Sequence, residues 1–155
     1  MPGNREARLY LTANCGYWLA RLGQAESSLR ESAVSGARYL QTFLDERGRM
    51  PSFWQTHWLA AGLWRQLDQN DWAERVYPFL ESRIPEMPAA SLAWLIAALR
   101  GAGLPASHRL IVFAADRLTS LQAPDGRWPH DDGPGQEVAA TLAALHALKL
   151  AAITL

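Results

Sequence analysis

Few residues in this chain have the type and spacing to carry chemistry. Asp131 and Asp132 stand side by side in a Pro/Gly-rich loop, and Glu137 follows at the start of an apolar stretch. A carboxyl group in an apolar cavity has a raised pKa and can deliver a proton. These three are therefore the candidate acids, with Glu137 nearest the start of the helix. The same residues also suit a solvated loop that places negative charge at a helix N-terminus. His57, beside Trp58, is the candidate base; His130 precedes the Asp pair and His146 lies on the last apolar segment. A lone histidine on an apolar helix is more often packed with one hydrogen bond than used as a base. Cys15 has no basic neighbour and reads as a small buried hydrophobe.

The aromatic residues form a second group. Seven tryptophans in 155 residues is a high count, and large aromatics either fill cores or line apolar ligand cavities. Trp18, Trp58 and Trp94, with Tyr17 and Trp54 near them, are the candidate ligand-binding residues. Their faces could hold an apolar chain or a carbocation, or they could be core residues between helices.

The segments that must position these groups read as helices, and no stretch alternates with period two for long enough to be a strand. The first runs from a cap at Asn4 to about Leu22 before Gly23; the second runs from about Glu26 to Glu46, with Leu29, Ala33, Ala37, Leu40 and Leu44 on one stripe. Arg47 to Pro51 breaks the pattern, and Ser52 is placed to cap a third helix reaching about Leu67. A fourth spans about Asp71 to Ser82, a fifth Ala89 to Gly101, and a sixth opens at Pro105 and runs to Gln122. The seventh, from about Gln136, is apolar almost all round, which predicts burial on most sides.

An internal repeat organises these helices. Trp18, Trp58, Trp94 and Thr141 take the same place in the first, third, fifth and seventh, at spacings of 40, 36 and 47 residues; Gln41, Glu81 and Gln122 recur in the alternate helices. A period near 40 with two helices per unit is the signature of stacked α-hairpins. The approximate repeats are 5–46, 52–84, 88–122 and 135–155, within a single domain spanning 1–155. Odd-numbered helices are expected inside and even-numbered ones outside.

The turn before the last helix carries Gln122, Gly126 and Trp128 in a Q-x-x-x-G-x-W pattern, followed by a Thr/Ala/Leu-rich helix. The pattern resembles the QW repeats of terpenoid cyclases and, more loosely, the repeats of protein prenyltransferase β subunits. The resemblance covers the last third of the chain. It implies an all-α fold of antiparallel hairpins arranged as a partial α/α toroid of about seven helices. It further implies an isoprenoid- or polyketide-like apolar substrate and metal-independent, acid/base cyclisation or isomerisation. Gln122 and Trp128 would then tie hairpins together rather than react. The family's D-x-D-D acid motif is absent, as are a D-D-x-x-D cluster for magnesium and, since Ala13 stands two before Cys15, the Asp/Cys pair of a zinc site. No metal or other cofactor is expected. The other function class is a non-catalytic toroid-like module that binds an apolar ligand or a partner protein.

Composition sets the remaining bounds. Fifteen basic and fifteen acidic residues balance, so no nucleic-acid partner is expected. One cysteine leaves no internal disulfide. No run of about 18 apolar residues suggests a membrane span, and the polar start of the chain has no leader-like pattern, so the expectation is a soluble, cytoplasmic protein. Three and a half hairpins are too few to close a ring. The expected assembly is therefore a homodimer through the seventh helix, or a complex with a larger helical partner.

Overall fold

Asn4 starts the first helix, as its residue type predicts: its side-chain oxygen accepts the N–H of Glu6 at 3.0 Å. The computed structural model describes residues 4–23, 26–129 and 134–152. Among them the chain is all-helical, with seven α-helices and two short 3-10 turns. It divides into two compact units, Met1–Leu80 and Glu81–Leu155.

The first unit contains α1 (Arg5–Leu22), α2 (Ser27–Gln41), α3 (Trp54–Gln66) and most of α4 (Asn70–Arg83). α1 and α2 form an antiparallel hairpin: Gly23 sits against Leu29 and Arg30, and Gly36 lies over Thr12. α1 and α3 run parallel. Ser52 Oγ donates to the Glu6 carbonyl at 2.8 Å and Tyr10 meets Phe53 edge-on at one end. Farther along, Gly16 faces Leu63 so closely that a Cβ would come within 2.7 Å of its methyl group. α3 is the buried centre of this unit, with every residue from Thr56 to Trp64 buried.

The second unit contains a 3-10 turn (Ile84–Glu86), α5 (Ala89–Gly101), α6 (Arg109–Ser120), a second 3-10 turn (Pro134–Gln136) and α7 (Glu137–Ala152). α5 and α7 also run parallel: one groove is lined by residues 90–97 of α5 and 139–146 of α7, and beyond it Arg100 at the end of α5 donates through Nε to the Leu150 carbonyl at 2.9 Å. Parallel packing of alternate helices within each unit is the arrangement that stacked α-hairpins produce.

Two devices recur. α3 and α5 end in the same left-handed C-terminal turn. Gln69 N–H bonds Trp64 O and Asp68 N–H bonds Arg65 O; 35 residues on, Leu104 bonds Leu99 and Gly103 bonds Arg100. The turn residues are Asp68 at φ 61° and Gly103 at φ 81°. The second device is a loop. Asp45 N–H bonds Arg49 O and Gly48 N–H bonds Asp45 O; Ala123, Arg127 and Gly126 repeat both bonds 78 residues later. In each copy a positive-φ glycine precedes an arginine ion-paired to a nearby aspartate, then a buried residue (Met50 or Trp128), then a proline.

Several element ends differ from the sequence expectation. α2 stops at Gln41, not Glu46, because the Asp45 carboxylate takes the N–H groups of Arg47 and Arg49 and folds the chain into the repeated loop. Ser52 does not cap α3; Phe53 holds that position with no side-chain bond, and the Ser52 hydroxyl is spent on Glu6 and Thr56. α6 opens at Arg109 rather than Pro105, since Pro105 starts a turn closed by His108, whose Nδ1 accepts the Leu110 N–H at 3.2 Å. α7 is not buried on most sides: Ala140, Ala144 and Ala147 face the core, while Val138, Leu142 and Leu145 are exposed. Cys15 is likewise exposed rather than buried.

Candidate functional site

An apolar groove of about 340 Å³ runs between α5 and α7. Its floor and walls are alanines: Ala90, Ala93 and Ala97 from α5, and Ala139, Ala140 and Ala143 from α7. Trp94 and His146 supply its only large side chains. The volume falls at the lower end of the range for small-molecule sites, and the lining matches their usual mix of apolar surface with few polar groups.

The groove exists because of substitutions between equivalent helices. With Trp94 set against Trp18, four buried positions of α1 (Ala13, Gly16, Tyr17 and Ala20) fall on buried positions of α5 (Ala89, Leu92, Ala93 and Ile96), and α5 buries Leu95 and Ala98 besides. The groove alanines Ala90, Ala93 and Ala97 then stand where α1 carries Asn14, Tyr17 and Arg21. In the first unit those larger chains occupy the position. Tyr17 is buried, its ring meets Trp18 edge-on at 5.3 Å, and Arg21 reaches the Tyr17 hydroxyl at 3.5 Å. Burial raises the pKa of the Tyr17 phenol, with Arg21 acting against that shift.

The expected ligand-binding aromatics therefore do not form one set. Trp94 lines the groove at 39% exposure. Trp18 is half exposed on α1, whereas Trp58, assigned to the same repeat position, is wholly buried in the centre of the first unit. The end turns of α3 and α5 repeat at 35 residues, so Trp58 corresponds in structure to the buried Ala93, one residue out of the register that sequence spacing assigns it. Trp54 is partly exposed at the start of α3.

Of the expected acid/base residues, His130, Asp131 and Asp132 lie outside the described residues. Glu137 sits at the start of α7 with its carboxylate ion-paired to Arg127. Arg127 also holds Asp125, through its guanidinium and its own N–H, and keeps that carboxyl below the usual range. Glu137 thus belongs to a partly exposed Asp–Arg–Glu cluster in which a cation faces its carboxylate. His57 is buried with both ring nitrogens engaged: Nδ1 lies 2.8 Å from the Phe53 carbonyl and Nε2 accepts the Met50 N–H at 2.9 Å. That pattern fixes the neutral Nδ1–H tautomer. Burial pushes the pKa down to about 4. His146 is exposed at the groove and has no hydrogen-bonding partner among the described residues. No group of three or more metal-ligating side chains comes together among the described residues, and none of the described helices is long and apolar enough to cross a membrane.

Trp128 and Gln122 hold the turn that precedes α7. The Trp128 indole donates to the Leu118 carbonyl at 2.7 Å, near the end of α6, and its backbone N–H donates to the Thr141 hydroxyl on α7 at 3.1 Å. Gln122 Nε2 donates to Gly126 O at 2.9 Å and closes the turn. Sequence reading treated the earlier Gly48-Arg49-Met50-Pro51 loop as a mere helix breaker. The signal for its kinship with the Trp128 turn was present in the shared Gly-Arg-x-Pro spacing of Gly126, Arg127 and Pro129. The alanine groove was missed because periodicity marks alanine as core without saying what it faces.

Comparison with family models, with curated proteins and with solved structures gives no match to this chain. The likeness to terpenoid-cyclase repeats rests on the Gln122, Gly126 and Trp128 spacing and the Thr/Ala/Leu-rich helix that follows it.

Proposed function

We propose that this protein is a non-catalytic helical-repeat module that binds a slender apolar ligand, of the isoprenoid-like class, in the groove between α5 and α7. The observation that carries this reading is the run of alanines at positions where the other unit carries Asn14, Tyr17 and Arg21, beside a half-exposed Trp94. A bare apolar channel with an aromatic face and one imidazole suits a ligand held by dispersion and shape.

The cyclase reading requires an acid in an apolar cavity. Among the described candidates, Glu137 is ion-paired to Arg127 in a partly exposed cluster and His57 has both nitrogens in use. A partial toroid remains the arrangement that would extend the parallel packing of alternate helices. Extraction of the purified protein with organic solvent, followed by mass spectrometry, tests the reading. Recovery of an apolar lipid in stoichiometric amount supports it. Farnesol added to lipid-free protein should bind saturably, and the absence of both bound lipid and farnesol binding would refute it.

A further inference from the structure

α1 carries an apolar seam that neither α2 nor α3 covers. Leu11 (56% exposed), Cys15, Trp18 (49%) and Leu22 (66%) follow one another at steps of four, three and four residues. Those steps are the a/d spacing with which one helix meets another. A strict a/d stripe is narrower than the broad apolar face of an interfacial membrane helix. Trp18 is also held in place before any partner arrives. The Tyr17 ring meets it edge-on at 5.3 Å, and the Arg21 guanidinium lies 5.8 Å from its ring centre. Tyr, Trp and Arg are the residues most enriched at interfacial hot spots, and a pre-ordered anchor loses little freedom on binding.

We propose that this seam is a homodimer interface in which α1 packs antiparallel against α1 of a second copy, across a two-fold axis between Gly16 and Tyr17. The seam is self-complementary about that point. Leu11 meets Leu22 of the partner subunit, and the small Cys15 meets the large Trp18 of the partner subunit, so knobs and gaps alternate. Charge agrees as well. The two helix dipoles oppose each other. Arg21, on one flank of the seam, comes beside Asn14 of the partner subunit, and Arg8, the next seam position toward the N-terminus, lies opposite the negative C-terminal end of the facing helix. No like charges are brought face to face. α7 makes a poorer seam, because the step after Val138, Leu142 and Leu145 is Lys149. The interface thus moves to the first helix from the seventh, where sequence reasoning had put it, and it is independent of ligand in the groove.

The full chain has one cysteine, so Cys15 reports on the interface directly. Size exclusion with light scattering should show a species of twice the 17.2 kDa chain mass. Trp18→Glu and, separately, Leu11→Glu should weaken association by about 30-fold or more, the loss expected from one hot spot, with helical circular dichroism unchanged. A short bismaleimide should join wild-type chains through Cys15 and leave the Leu11→Glu variant uncoupled. A monomer at every accessible concentration would overturn the proposal. So would a dimer that survives both substitutions without Cys15 coupling but dissolves with Leu142→Glu. Flotation of a monomeric protein with anionic liposomes, lost in Trp18→Glu, would reassign the seam to lipid.

Discussion

Both nitrogens of the His57 ring are committed to backbone groups, so its charged form is unwelcome in the fold: protonating Nε2 would break the bond from Met50 N–H inside a buried site. The folded pKa of about 4 lies below the ordinary 6.5. The unfolded chain therefore binds the extra proton first, and the linked stability is complete above pH 6.5 and lost as pH falls toward 4. The size of that loss is about 3 kcal/mol. Urea unfolding at pH 7.5 and 4.5 should show it in the wild type. His57→Gln, less stable at pH 7.5, should show a smaller difference between the two pH values. An equal difference in both proteins would mean that His57 is not the linked group. Glycines divide in the same local way. Gly48 (φ 71°) is pressed onto α4, where a Cβ would lie 2.0 Å from the Arg75 carbonyl, whereas Gly126 (φ 88°) has only the Gln122 side chain nearby, at 3.9 Å. Gly126→Ala should cost about 1–2 kcal/mol, the left-handed penalty alone. Gly48→Ala should cost clearly more, and thermal melts that ranked them the other way would contradict the packing described. The cap at Asn4 and the turn at Gly126 were legible from residue type. The state of His57 was not, because Met50 and Phe53 reach it only once the loop has folded.

At the scale of elements, buried groups that close helix ends carry the second unit. Trp128 joins α6 to α7 through its indole and its backbone. Trp128→Ala should destabilise by about 3–5 kcal/mol. Trp128→Phe keeps most of the packing and leaves the Leu118 carbonyl its bond from the Leu121 N–H, so loss of the indole bond alone should cost about 0.5–1.5 kcal/mol. Arg100 is buried and binds the carbonyls of Leu104 and Leu150, at 2.5 and 2.9 Å, placing a cation at the C-terminus of α7. Arg100→Met should therefore loosen the end of α7 first, which hydrogen exchange at its last turn would reveal. Protection unchanged there would show that the cap contributes nothing. Helix positions followed from apolar spacing and from Gly and Pro, and α5 agrees with its expected bounds at both ends. The ends of α2 and α6 were misjudged because Asp45 and His108 bond the backbone locally, and propensity gives no sign of that competition.

For the whole molecule, the repeat was the most readable feature. The left-handed turns at Asp68 and Gly103 lie 35 residues apart, one fewer than the 36 between Trp58 and Trp94, so the tryptophans sit one residue out of register with the helices that carry them. Periodicity could not reveal which repeat positions face a void. Trp18, Trp58 and Trp94 look equivalent in sequence, yet Trp58 is wholly buried while Trp94 lies beside alanines that leave room for a ligand. The most direct test of the ligand-binding account is a farnesol titration of lipid-free wild type and of Ala97→Leu and Ala143→Leu, read by calorimetry beside thermal melts. Ala97 is partly exposed and Ala143 exposed, so the added side chains should fill the groove with little change in melting. The account predicts saturable one-to-one binding by the wild type, weakened about tenfold or more in both variants. Equal affinity in all three proteins, with their folds intact, would contradict it.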